Sequence, residues 1–205
     1  MPARALSKAH NRQTLLETTA DLIAQGGVEA ASVSAICARA GLSRGMVHLH
    51  FDNKDALLLE VVRDLNARYF AGIDAALQHA PGLAFDQVMA VVRADLGPTL
   101  LNRRTVNLWY AFRGLSRARP DILQYSDTRD TALRAHLMRA FNALEPHATH
   151  TGQRARDATH GTLALLEGMW ADFYLHTDRF NRQTAIRIVR RFIVGLYPET
   201  ASELD

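Results

Sequence analysis

Cysteine is almost missing from this chain: Cys37 is the single one in 205 residues. An internal disulfide is therefore excluded, and no thiol pair exists to hold zinc. Residues 1–12 are polar and basic, without the apolar stretch of a secretion signal. No run approaches the ~20 apolar residues needed to cross a bilayer. A cytoplasmic protein without a membrane partner is the expectation. No stretch alternates with a period of two, so strands are not expected, and no internal repeat or low-complexity tract is present. Charge of one sign is scarce as well. A formal net charge of +3 and a sequence pI near 9.3 permit an anionic partner without demanding one.

Signatures of catalysis are also absent. The chain has no Gly-rich phosphate loop, no nucleophile elbow and no HExxH helix. Its nine histidines include His147 and His150, three apart, with His136 and His160 further away. The close pair sits around Pro146 and Thr149 in an expected loop, which does not make a metal site. No enzyme activity, no metal and no cofactor are expected.

What is there is helical. A hydrophobic content of 48% is enough for one or two buried cores. Apolar residues recur at helical spacing over 7–26, where Leu15, Leu16, Thr19, Leu22 and Ile23 share a face. Short helices follow, to Ala40 and from Ser43 to Phe51, and a longer one runs from 53 to about 77. Further segments are expected at 84–95, 98–117, 120–143, 153–176 and 181–196, broken at Gly97-Pro98, Pro120, Pro146 and Asp178. The fold class is all-α, with about nine helices. Residues 1–53 form a three-helix domain, and residues 54–205 form a larger helical domain.

Residues 32–57 carry the most specific pattern. Ser32 or Ser34 can cap the second helix by accepting a hydrogen bond from a free backbone N–H. Cys37 and Ala40 supply small residues for a helix crossing, Gly41 a turn tolerating positive φ, and Ile36, Leu42 and Val47 apolar contacts. That is a helix-turn-helix. Its second helix offers Ser43, Arg44, His48 and His50 as donors toward bases and phosphates. Gly45 lets the backbone come close, and Met46 can touch a thymine methyl. Lys54 adds a charge beside the first N–H groups of the next helix, a phosphate clamp. Ser32 and Ser34 complete the candidate DNA contacts. Residues 1–54 hold six basic against four acidic side chains, a local net charge of only +2. Affinity for double-stranded DNA would then depend on two copies binding together.

This arrangement resembles the TetR family of transcriptional repressors. The matching residues are Ala20, Gly27, Ser32, Ile36, Ala40, Gly41, Leu42, Ser43, Gly45, Val47, His50, Phe51, Lys54, Asp55, Ala56 and Leu57. Cys37 and Met46 depart from the family's commoner residues. His48 stands where a tyrosine usually contacts phosphate. The resemblance implies a homodimer, paired through the last two long helices, that binds an operator.

The C-terminal half offers two features. Residues 162–175 are apolar nearly all the way round, so that helix is buried on more than one side. It is either a central core helix or one shared between its own domain and a second subunit. The last helix carries Ile188, Val189, Phe192, Ile193 and Leu196 opposite Arg187, Arg190 and Arg191. Gly161 and Gly168 permit close helix contact. Aromatic side chains gather in two helices, as Trp109, Tyr110 and Phe112 and as Trp170, Phe173 and Tyr174, with Glu167 near the second group. Such residues are either plain core or, with a carboxylate, a pocket for a cation. Residues 108–112, followed by Pro120, and residues 165–170 resemble the choline-responsive, BetI-like branch of the TetR family. The resemblance implies repression of a choline-to-glycine-betaine operon, relieved by choline. Trp109, Tyr110, Phe112, Glu167, Trp170 and Tyr174 are the candidate contacts for such a small-molecule effector. The alternatives are a constitutive DNA-binding protein without an effector, and a regulator of a non-cationic apolar ligand.

Overall fold

The computed structural model describes the backbone of residues 3–145 and 152–200, and the side chains of 7–125, 131–145 and 152–200. His147 and His150 lie outside the described residues. Among those described, nine α-helices form and no strand: α1 (Ala3–Gly26), α2 (Val33–Ala40), α3 (Arg44–His50), α4 (Lys54–His79), α5 (Ala84–Asp95), α6 (Arg103–Ser116), α7 (Pro120–Ala143), α8 (Gln153–Leu175) and α9 (Arg182–Leu196). A 3₁₀ turn, Val28–Ala30, stands between α1 and α2, and another closes 198–200. No described helix is long and apolar enough to cross a membrane. No group of three or more described His, Cys, Asp or Glu side chains could hold a metal ion.

The chain divides into two compact units. The first comprises Met1–Ala67 with Arg103–Ser126, the second Arg68–Asn102 with Asp127–Asp205. In the first, α1 packs against α2, α3 and α6. Of the two serines that can cap α2, Ser32 does so: its Oγ accepts from the Ala35 N–H at 3.1 Å. Gly41 ends α2 at φ 66°, a left-handed conformation that costs a residue with a Cβ about 1 kcal/mol. Ile36 and Val47, one from each short helix, are buried with Ala31. Asn53 starts α4 by accepting from the Ala56 N–H at 2.8 Å.

One boundary differs from expectation. The helix expected from 98 begins only at Arg103. The Asn102 amide donates to the carbonyls of Pro98 and Thr99, at 3.3 and 3.0 Å. A side chain thus competes for the acceptors that a first helical turn would use, and 98–102 closes as turns.

In the second unit, α9 packs on α8 and α5. Ala185, Val189 and Ile193 form its buried stripe, facing inward together with Thr162, Leu166, Trp170 and Phe173 of α8. Asn181 caps α9 by accepting from the Thr184 N–H at 2.9 Å. The α8–α9 crossing is close at Gly161, where an added Cβ would run into the Phe192 ring. Gly168, by contrast, faces open space.

A Gly161→Ala change should therefore destabilise the protein by about 1–3 kcal/mol through overpacking. Urea unfolding reads this, and the double variant with Phe192→Leu should recover most of the loss.

Candidate functional site

The helix α3 is short, and its two faces differ. Val47 is 1% exposed and anchors the helix inward. Ser43, Arg44, Gly45, His48 and Leu49 are exposed, while Met46 is half-buried. Arg44, Gly45 and His48 fall at spacings that share one helical face. Ser32 and Ser34 are exposed at the start of α2, and Lys54 is half-buried in the first turn of α4. Ser43 occupies the N-cap position, but its hydroxyl makes no capping bond. A backbone turn opens the helix instead, in which the Met46 N–H donates to the Ser43 carbonyl at 3.0 Å. Leu49, which sequence reasoning passed over, is 58% exposed. An exposed leucine on this helix can meet a thymine methyl more readily than the half-buried Met46. Its only sequence signal was position, two residues from Val47 on a helix too short to bury both.

His50 is half-buried rather than fully outward. Its Nε2 is buried without a hydrogen-bond partner among the described residues. Burial first, then the charges of Lys8 and Arg12, push the imidazole pKa below its ordinary 6.5. Arg12 lies over the Phe51 ring at 5.3 Å and pairs with Glu60 at 2.5 Å. Glu60 also accepts from Arg63 at 2.7 Å. Burial alone would raise the Glu60 pKa, but the two guanidinium groups outweigh it and hold the carboxyl below its usual range.

The helix α6 is bound to this head. Arg104 reaches Asp21 and Glu17 of α1, both at 2.7 Å. Asn107 donates to the Ala24 carbonyl at 2.7 Å. Arg119 pairs with Asp55 of α4 at 2.9 Å and with Asp121 at 2.7 Å. Trp109 and Phe112 are buried on α6, and the half-buried Tyr110 carries Arg113 over its ring at 5.8 Å.

The other three expected effector contacts belong to the second unit. Trp170 is buried, Glu167 half-buried and Tyr174 44% exposed. Three of the six candidates thus fall in each unit. Trp170 instead gathers two residues that the sequence did not single out. Asp95 is fully buried at the end of α5, and its carboxylate accepts from Trp170 Nε1–H at 2.8 Å and from the Tyr69 hydroxyl at 2.5 Å. The Tyr69 and Trp170 rings meet edge to face at 6.3 Å. A signal for Asp95 did exist. It is the acid on a stripe otherwise formed by Val88, Val91 and Val92. Arg182 of α9 fixes the neighbouring backbone. It donates to the carbonyls of Leu96 at 2.5 Å and Leu101 at 2.6 Å, and lies over Phe173 at 5.1 Å. Burial holds its pKa below the usual value.

Residues 15–61 match the bacterial regulatory proteins of the tetR family, and residues 84–198 match the BetI-type transcriptional repressor C-terminal domain. The HTH-type transcriptional regulator BetI of Stenotrophomonas maltophilia is 28% identical over 193 residues, covering 94% of this chain and 95% of that protein. Its counterpart of the same name in Escherichia coli is 26% identical over 199 residues, covering 97% and 99%. Among solved structures, a transcriptional regulator from Pseudomonas aeruginosa superposes with a TM-score of 0.82 at 27% identity, covering 95% of this chain and 93% of that one. A regulator from Saccharomonospora viridis in complex with choline gives 0.78 at 22% identity, covering 90% and 96%.

The burial of His50 has a pH signature. A depressed folded pKa means that the unfolded chain binds this proton more readily. The associated stability is present above the unfolded value near 6.5 and is lost as pH falls through the lower folded value. Urea midpoints of the unmodified protein should therefore drop more between pH 7.5 and 5.5 than those of His50→Gln.

Proposed function

The chain belongs to the TetR family of bacterial regulatory proteins, with a C-terminal domain of the BetI type, and on that premise we propose that it works as a dimeric repressor released by a small cation. A DNA-binding transcriptional repressor is the role that membership gives. The finer reading adds the operator face, the pairing and the effector.

For the operator, α3 offers Arg44, Gly45 and His48 on one exposed face. Ser43, Met46, Leu49 and Lys54 flank that face, and Ser32 and Ser34 stand at the start of the preceding helix. The half-buried His50 lies beside Lys8 and Arg12, positions suited to a phosphate. A single head with so little net charge binds weakly, so two heads must reach a pseudo-palindromic site one helical turn apart, about 34 Å. Exposed apolar groups support the pairing: Leu175 of α8 is 68% exposed and Ile188 of α9 41%. Open space at Gly168 leaves room for a partner helix.

The effector reading rests on one observation, the buried Asp95 carboxylate held between Tyr69 and Trp170. A carboxylate beside aromatic rings attracts a quaternary ammonium group both by charge and through the ring faces. Choline is the natural probe, since a regulator of the same fold has been solved with it. Among the sequence candidates, Trp170 lies at this carboxylate, while Trp109, Tyr110, Phe112, Glu167 and Tyr174 remain secondary contacts.

Release follows from differential affinity, because a ligand shifts only an equilibrium whose states it binds unequally. The route is short along the chain. Asp95 ends α5, Arg182 holds the backbone at Leu96 and Leu101, and Arg104 then fixes α6 to α1. A ligand that moves Asp95 thus pulls on a segment whose far end is fastened to the reading head.

Two outcomes are expected. Arg44→Ala combined with Lys54→Ala should weaken operator binding tenfold or more. The salt slope should fall by about one for each phosphate that the variant no longer neutralises, read by anisotropy titration. Unchanged affinity would remove α3 as the reading helix. Choline should weaken operator binding by the unmodified protein, and Trp170→Ala or Asp95→Asn should blunt that response. A protein indifferent to choline discards the ligand and leaves the repressor.

A further inference from the structure

The second unit contains a cavity of about 160 Å³ lined from α4, α5 and α7. Val88, Val91 and Leu137 are fully buried and give it an apolar wall. Gln87, His136 and Arg139 line it as well, and among the described residues no acidic side chain does. Arg139 lies 2.9 Å from His136 Nδ1. A guanidinium can only donate, so Nδ1 is the acceptor, and the neutral ring carries its proton on Nε2. Among the described residues His136 is the partner of Arg139, and no carboxylate pairs with that cation.

The ordinary explanation for such a space is a packing gap filled by water. This gap differs in having two unlike ends. An apolar wall offers water few partners. The lining also carries an arginine, a histidine N–H and a glutamine amide, donors that water fills poorly and an anion fills well. A cation is repelled by Arg139. Inorganic phosphate has no apolar part to cover Val88, Val91 and Leu137. The volume is close to that of a ~150 Å³ cavity able to take benzene, which suits a ligand of about six non-hydrogen atoms.

We propose that this cavity binds a short-chain aliphatic carboxylate. The carboxylate takes the Arg139 guanidinium and the Gln87 amide, and the alkyl tail lies against Val88, Val91 and Leu137. The site is separate from Asp95 and opposite to it in charge, and it does not depend on the cation reading. It is nevertheless built on the same helix, since Val91 lies four residues before Asp95 on α5.

Calorimetric titration with butyrate tests this, with butyramide as a ligand of the same shape without the charge, both at constant ionic strength. Butyrate should bind saturably, and butyramide about tenfold more weakly or less. Arg139→Gln, at an exposed position, should reduce butyrate to the butyramide level. Ala140→Leu, which fills the cavity, should abolish binding of both while circular dichroism and operator binding show the fold intact. Absence of saturable butyrate binding, equal binding of the two ligands, or butyrate binding untouched by Arg139→Gln would each overturn the site.

Discussion

The clamp of Arg104 onto Glu17 and Asp21 fixes α6 to the first helix of the DNA-binding unit. These side chains are more than a third exposed, so each pair contributes little to stability, of the order of 0–1 kcal/mol. Their value is directional. One guanidinium grips two carboxylates one turn apart on α1, and Asn107 takes the Ala24 carbonyl a turn further on. Three bonds along one helix fix both position and rotation, which a single ion pair does not. Although α6 lies in the middle of the sequence, it therefore moves with the DNA-reading helices. The chain passes between the two units after Ala67, Asn102 and Ser126, and the Asn102 passage leads directly into this clamp.

The reading head itself is modest, and that modesty shapes the rest. A net +2 over its first 54 residues gives weak counterion release, and the paired heads proposed above would supply what one head lacks. Such pairing requires α8 and α9 to be two-faced helices. The structure of one chain already has that character: Val189 and Ile193 are buried while Ile188 beside them is exposed, and Phe173 is buried while Leu175 is exposed. An all-round apolar helix in a single subunit would leave such side chains in water at a cost of about 25 cal/mol per Å². Covering them with a second copy, as proposed, would recover that energy and set the spacing of the heads in one step.

Local features of this fold were legible in the sequence, and distant ones were not. Ser32, Gly41, Ile36 and Val47 lie within sixteen residues, and capping, turn and burial each follow from neighbours along the chain. The helix bounds expected at 84–95, 120–143 and 181–196 follow from Gly, Pro and Asp punctuation in the same way, and the last helix starts one residue later, at Arg182. The false start at 98 came from a side-chain bond that competes with the helix, which periodicity does not register. The Asp95 cluster was hidden for a different reason. Its partners stand 26 and 75 residues away, and only the folded second unit brings them together. Trp170 was visible because it sits in an aromatic run, and Tyr69 was not, because it occupies an ordinary core position of α4. Ser43 shows the remaining limit, since a residue type favoured for capping reveals position but not which atom makes the bond.

The helix α5 carries two unlike polar environments on a largely buried rod. At one end the Asp95 side chain accepts from Tyr69 and Trp170, and one to two turns earlier Val91 and Val88 form the wall of a cavity lined by Arg139 and His136. A helix of twelve residues moves as a unit, because its backbone bonds are satisfied internally and its buried face is close-packed. Anything that shifts α5 to suit one environment therefore shifts the other. The two proposed sites would select ligands of opposite charge, and the shared helix would couple their occupancies in both directions and by the same factor. The carbonyls that Arg182 holds at Leu96 and Leu101 lie just beyond that helix, on the turn that ends at Arg104, and Tyr69 ties the same Asp95 to α4, whose first half belongs to the first unit.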